Sequence, residues 1–135
     1  MEKDVNVCIG HDSIMDPWYS MGKGNMLAAA NLLAHTAHMN GHNQLLQLID
    51  MITHRSAKTM AVENSYGITE GNQADMIILD ARSEAEALRL TSECLYVIRK
   101  GNIICETTPA KRMLQKGGTT EIIDFKLNFG GEHNV

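Results

Sequence analysis

The sequence predicts an α/β fold, with a βα unit in its first half and a small β-rich module in its second. Three observations predict it. Residues 5–9, Val-Asn-Val-Cys-Ile, form a short run of strand length that breaks at Gly10. Three helix-like segments carrying apolar stripes then fill the chain to about Val62. Beyond Val62 the pattern changes to short apolar runs separated by turn residues. The change divides the chain into a first piece over residues 1–62 and a second over residues 63–135.

Each element follows from its residues. Residues 10–24 form a loop rich in Gly, Asp, Pro and Ser, and loops at strand ends carry function more often than the strands do. Asn25 caps a helix running to about Met39. Met26, Ala30, Leu33 and Ala37 lie along its inner face, with Leu27 and Ala34 beside them. Gly41 ends it. A second helix covers about residues 43–52, with Leu45, Leu46, Leu48, Ile49 and Ile52 apolar. Thr53 caps a third through about Ala61, whose Ala57, Met60 and Ala61 face inward. Gly67 and Gly71 mark a turn region. Met76-Ile77-Ile78-Leu79 is a continuous apolar run, the pattern of a strand covered on both faces. Residues 83–90 read as a short helix. Residues 95–99 and 103–106 flank Lys100-Gly101-Asn102, a hairpin signal. Residues 119–125 make a last strand, and residues 130–135 a frayed tail.

Composition narrows the function classes. The 135 residues carry a net charge of -4 and are 44% hydrophobic, ordinary for one globular unit. Lys23 stands alone, and Arg99-Lys100 and Lys111-Arg112 are only pairs. A nucleic-acid or anionic-membrane partner needs clustered basic residues, so neither is expected. Cys8, Cys94 and Cys105 are odd in number and far apart, which fits neither a disulfide framework nor a zinc knuckle. Cys8 and Cys105 read as small core residues, in a reducing compartment. The N-terminus lacks the basic-then-apolar pattern of a secretory signal. No apolar run reaches the ~20 residues that span a bilayer. A cytoplasmic location is the expectation.

The chemistry concentrates at Gly10-His11-Asp12-Ser13-Ile14-Met15-Asp16-Pro17-Trp18. In α/β enzymes the carboxyl ends of strands carry the reacting groups, and Asp12 stands just past such an end. A short carboxylate on a rigid backbone suits proton transfer to and from water. The same residues also make good loop chemistry, so Asp12 is equally a helix cap or turn former on spacing alone. Asp16 before Pro17 reads as a turn residue. Trp18 is either a flat wall against a planar ring or a core or interface anchor. His11 is either a substrate contact or a loop histidine bonded to backbone. His35 and His38 share a helix face, but with Asn31 and His42 they form a polar stripe and read as solvated. His54 follows a cap position and reads as structural. The nine methionines read as core filling.

Two further sets of residues carry a resemblance. Gly10-His11-Asp12 with Asp16-Pro17-Trp18-Tyr19 resembles the end of the last barrel strand in cytosine deaminases of the amidohydrolase superfamily. Thr53-His54-Arg55-Ser56-Ala57, Gly67-Ile68, Gly71 and Ala74-Asp75-Met76-Ile77-Ile78-Leu79-Asp80 resemble that superfamily's common C-terminal signature, and Val97, Gly101 and Ile103 fit the hairpin after it. The resemblance covers about residues 5–125. It implies the last βα unit of a metal-dependent (β/α)8 amidohydrolase barrel, followed by a small β-sandwich portion: a fragment, not a full barrel. It implies a hydrolase that deaminates cytosine to uracil and ammonia.

The same resemblance implies one divalent metal, Fe2+ or Zn2+, with Asp12 as both a metal ligand and the group that handles the proton of the attacking water. The remaining ligands, a His-x-His pair and a later histidine, and a proton-passing glutamate would lie outside this chain. Trp18, His11 and Ser13 are the expected substrate-binding residues. Members of that branch carry an acidic residue where this chain has Ser13. A neutral hydroxyl there leaves the ring open among cytosine, related amino-pyrimidines and aminopurines. The expected partners are a small nucleobase and either the missing N-terminal barrel portion or a second copy of the chain. Alone the chain is expected to be inactive. The alternative is a non-catalytic interaction or self-associating module derived from an amidohydrolase.

Overall fold

The computed structural model describes residues 5–126. Three helices come first: α1 (Met26–Thr36), α2 (His42–Ile52) and α3 (His54–Thr59), with a 3-10 turn at Glu63–Ser65. Strand β1 (Met76–Leu79), helix α4 (Glu84–Leu90) and strands β2 (Cys94–Arg99), β3 (Asn102–Glu106), β4 (Arg112–Lys116) and β5 (Thr119–Ile123) follow. β1, β2 and β3 form an antiparallel sheet in that order, and β4 and β5 a separate antiparallel pair.

The helices form because their ends are satisfied locally. The Asn25 Oδ1 accepts from the amides of Leu27 at 2.9 Å and Ala28 at 3.4 Å, two of the donors a helix start leaves orphaned. The Gln44 Oε1 reaches back to the Gly41 amide at 2.9 Å. At α4 the Ser83 hydroxyl accepts from the Glu86 amide at 3.2 Å, and the buried Glu86 carboxylate accepts from the Arg82 amide at 3.1 Å.

The core unites both halves of the chain. Leu27, Ala30 and Ala34 of α1, Leu48 and Met51 of α2 and Leu88 of α4 make one buried cluster, with Ile9, Leu33 and Leu79 packed against it. Asn31 adds a polar tie, its Nδ2 donating to the Leu88 carbonyl at 3.0 Å. Asn31 was expected on a solvated stripe with His35, His38 and His42. Those three are exposed, but Asn31 bridges α1 to α4.

Four expectations are corrected. Residues 5–9 form no strand: among the described residues no neighbouring strand offers a ladder, and backbone groups pair with what is near. The segment instead docks on the helices. The Ile9 amide donates to the Met51 carbonyl at 3.1 Å, and Asn6 Nδ2 donates to the Arg55 carbonyl at 3.0 Å and Thr59 Oγ1 at 2.9 Å. β1 is not covered on both faces, for Ile77 and Ile78 are exposed at one edge of its sheet. Cys105 is exposed and Cys8 half-buried rather than core. Met60 and Ala61 face solvent because α3 ends at Thr59, and Met15, Met21 and Met113 are exposed as well, so methionine core filling holds at Met51 and Met39 but not at these positions.

Both hairpins turn through two residues with positive φ. Lys100 (50°) and Gly101 (77°) join β2 to β3, and Gly117 (57°) and Gly118 (85°) join β4 to β5. That pair of left-handed residues is the tight turn that matches strand twist. Asp75 pins the first hairpin, its Oδ1 accepting from the Lys100 amide at 2.7 Å and its Oδ2 pairing with Arg99 at 3.2 Å. The Lys100 amide above all, and the Arg99 charge, hold its carboxyl below the ordinary aspartate value.

Candidate active site

The docked segment delivers Gly10, His11 and Asp12 to the start of the loop over residues 10–24. Asp12 has a left-handed backbone, φ 63°, a conformation in which Asp is enriched among non-glycine residues. The residue is exposed. Among the described residues its carboxylate has no hydrogen-bond or ion-pair partner, so it caps no turn. His11 is half-buried, and its Nδ1–H donates to the Ser13 carbonyl at 3.3 Å. A carbonyl only accepts, so Nδ1 carries the proton.

Asp16 organises the rest of the loop. Its Oδ1 accepts from the amides of Trp18 and Tyr19, both at 2.9 Å, a side-chain turn of the kind aspartate favours. The Ser13 hydroxyl and the Tyr19 amide hold its carboxyl below the ordinary aspartate value. Backbone bonds from the Met15 amide to the Met21 carbonyl (3.1 Å) and from the Asp16 amide to the Tyr19 carbonyl (3.0 Å) close the loop into a tight finger. Trp18 stands at its tip, 89% exposed, so it is no core anchor here.

The structure brings His11, Asp12 and Ser13 together as neighbours on one turn and ties Ser13 to the Asp16 turn that carries Trp18. Two surface concavities, of about 460 and 280 Å³, lie elsewhere, and Asp12 lines neither. Among the described residues no three His, Cys, Asp or Glu side chains come together in a way that could hold a metal ion. Catalytic zinc takes about three protein ligands. The donors present therefore do not fit a complete metal centre, and no chemical step is derived through a cation.

Sequence reasoning missed Gly22. A Cβ at that position would lie 2.6 Å from His11 Cε1, and its φ is 93°. The signal was available as one of two glycines, Gly22 and Gly24, near the close of the loop. His54 meets Tyr66 edge-on, with ring centroids 5.4 Å apart, and lies 3.7 Å from Asp50, which agrees with a structural role.

The sequence model of the amidohydrolase family matches residues 1–105, and the chain belongs to that family. It corresponds to a C-terminal segment of an amidohydrolase-superfamily protein. The crystal structure of 5-methylcytosine deaminase from Klebsiella pneumoniae liganded with phosphonocytosine is 38% identical, with a TM-score of 0.74, and the match covers 80% of this chain and 26% of that one. N-isopropylammelide isopropylaminohydrolase from Burkholderia multivorans ATCC 17616 is 28% identical, with a TM-score of 0.70 over 76% of this chain and 26% of its own. N-isopropylammelide isopropyl amidohydrolase of Pseudomonas sp. (strain ADP) is 30% identical over 104 residues, 77% of this chain and 26% of the relative. The chain thus spans about a quarter of the length of the relatives it matches. Among the described residues no helix is long and apolar enough to cross a membrane.

Proposed function

We propose that this chain supplies the proton-handling carboxylate and one wall of the ring site to a hydrolase that deaminates cytosine or a related amino-substituted ring. The single observation that carries the reading is the 38% identity and shared fold with a 5-methylcytosine deaminase liganded with phosphonocytosine; the family match over residues 1–105 takes in Asp12, whose carboxylate has no partner among the described residues. In that reading residues 1–62 are the last βα portion of the barrel and residues 63–135 part of its β-rich companion. Residues 5–9 gain strand partners from barrel polypeptide outside this chain.

The chemistry assigned to the chain is a proton relay. Water adds to the ring carbon that bears the exocyclic amine, and Asp12 accepts the proton that the water loses. Asp12 then returns it to the amine nitrogen, the C–N bond breaks and ammonia leaves, and the remaining hydroxyl proton passes to the adjacent ring nitrogen, leaving a ring carbonyl. Positioned acid–base catalysis of this kind contributes about 10²–10⁴-fold. Trp18 offers a flat face to the ring, and His11 and Ser13 flank it. Trp18 needs a barrel opposite it to do so, since here it stands in solvent. A divalent cation, iron or zinc, belongs to the reading as a group held mainly by residues outside this chain, with Asp12 as the one donor offered. Three free cysteines accord with a cytoplasmic setting.

The test joins the full chain to the part of the Klebsiella enzyme it does not match, in place of that enzyme's own segment. The reading expects ammonia release from cytosine or 5-methylcytosine by the chimera and none above background from the chain alone. A folded chimera that releases no ammonia from any amino-pyrimidine or aminopurine would leave the non-catalytic alternative standing.

A further inference from the structure

We propose that Gly22 is a positioning residue for Asp12, acting through the imidazole of His11; the inference rests on the deamination reading above. The His11 ring lies over the bare Cα of Gly22. A Cβ there would meet Cε1 at 2.6 Å and Nε2 at 3.2 Å, closer than carbon atoms approach without one of them moving. The ring atom bonded to Cε1 on its other side, Nδ1, donates to the Ser13 carbonyl at 3.3 Å, so a shift of Cε1 carries this bond with it. These two contacts straddle Asp12. The ring bridges residue 11 to residue 13, and residue 22 leaves it room for that pose only by lacking a side chain.

Asp12 needs such a brace. Its φ of 63° is a sparsely populated conformation that persists when surroundings over-determine it. Its own side chain forms no bond among the described residues that would hold it there. The return path of the loop is fixed by the Met15–Met21 and Asp16–Tyr19 backbone bonds, so Gly22 arrives beside the ring by covalent geometry rather than by chance. A side chain at 22 pushes the imidazole, the movable partner, off the Ser13 carbonyl. The Asp12 backbone then loses its clamp, and its carboxylate leaves the position from which it takes and returns the proton. Misplacement of a reacting group by about 1 Å costs on the order of 100-fold.

The expected signature is a loss of kcat that exceeds any rise in KM, since the displaced His11 ring also flanks the substrate. In the chimera described above, Gly22→Ala lowers kcat for ammonia release by about 10–100-fold. His11→Asn keeps an amide donor for the Ser13 carbonyl but removes the ring that the new Cβ would strike. In that background Gly22→Ala has little further effect, because the two residues act as one unit. Strain from the positive φ at position 22 is common to both backgrounds and cancels in the comparison. An equal loss in both backgrounds, or a change in KM alone, overturns the proposal.

A second measurement needs no catalysis. Long-range proton–nitrogen NMR on the full chain shows His11 protonated at Nδ1, and Gly22→Ala abolishes that pattern. A His11 protonated only at Nε2 in the unsubstituted chain overturns the brace. Should the unsubstituted chimera release no ammonia, the deamination reading fails, and this spectrum decides the brace by itself.

Discussion

Asp16 shows how one side chain sets a loop. Its carboxylate holds two amides at 2.9 Å, and the Ser13 hydroxyl and Tyr19 amide hold its pKa below the ordinary aspartate value. A carboxyl with a depressed folded pKa adds stability that is present above its unfolded pKa of about 3.9 and is lost as pH falls through the folded value. The Trp18 and Tyr19 amide signals therefore hold steady from neutral pH to about 4 and move only below it. Ser13→Ala raises the midpoint of that change, because it removes the largest lowering influence, and Asp16→Asn removes the change altogether. A transition at the same pH in Ser13→Ala would contradict the assignment. The turn role of Asp16 was legible in Asp16-Pro17, since aspartate before a turn has a local mechanism. The left-handed backbone of Asp12 was not legible, because the contacts of its neighbour His11 run to Ser13 and to Gly22, beyond any local spacing rule.

Elements with local causes were readable, and elements that need a partner were not. Asn25 and Ser83 are self-contained caps, so the starts of α1 and α4 fall where the sequence places them. Lys100-Gly101 announces a tight turn by its own chemistry, and the β2–β3 hairpin is there. The β4–β5 hairpin was half missed. Gly117-Gly118 is an equally good turn signal, but Arg112, Gln115 and Lys116 hide the strand before it, which has too few apolar residues to stand out. Residues 5–9 mark the opposite limit. Their apolar character suits a strand, yet a ladder needs a second chain segment, and a sequence window holds only one side of it. Likewise Met76–Leu79 forms its strand as its residues dictate, while the cover for Ile77 and Ile78 depends on what packs above them.

At the scale of the whole molecule, α4 is the element that joins the sheet region to the first three helices. Leu88 is fully buried among residues of α1 and α2, and Leu48 is its counterpart on α2. Truncating a buried leucine removes its transfer free energy and leaves a cavity, about 2–5 kcal/mol together. Leu88→Ala and Leu48→Ala should each lower the stability of the chain by that amount in urea unfolding. A loss below about 0.5 kcal/mol, the range of ordinary surface changes, would show that the two halves do not share a core.

The same scale sets the function. The chain offers a carboxylate and a loop with an exposed tryptophan, and the match covers only 26% of each relative. The account as a whole turns on the Asp12 carboxylate moving a proton in ring deamination. Asp12→Asn keeps size and shape but removes the ability to accept that proton. In the chimera it should leave folding unchanged and lower ammonia release from cytosine or 5-methylcytosine by about 10²–10⁴-fold. Ammonia release at the unsubstituted rate would contradict the account.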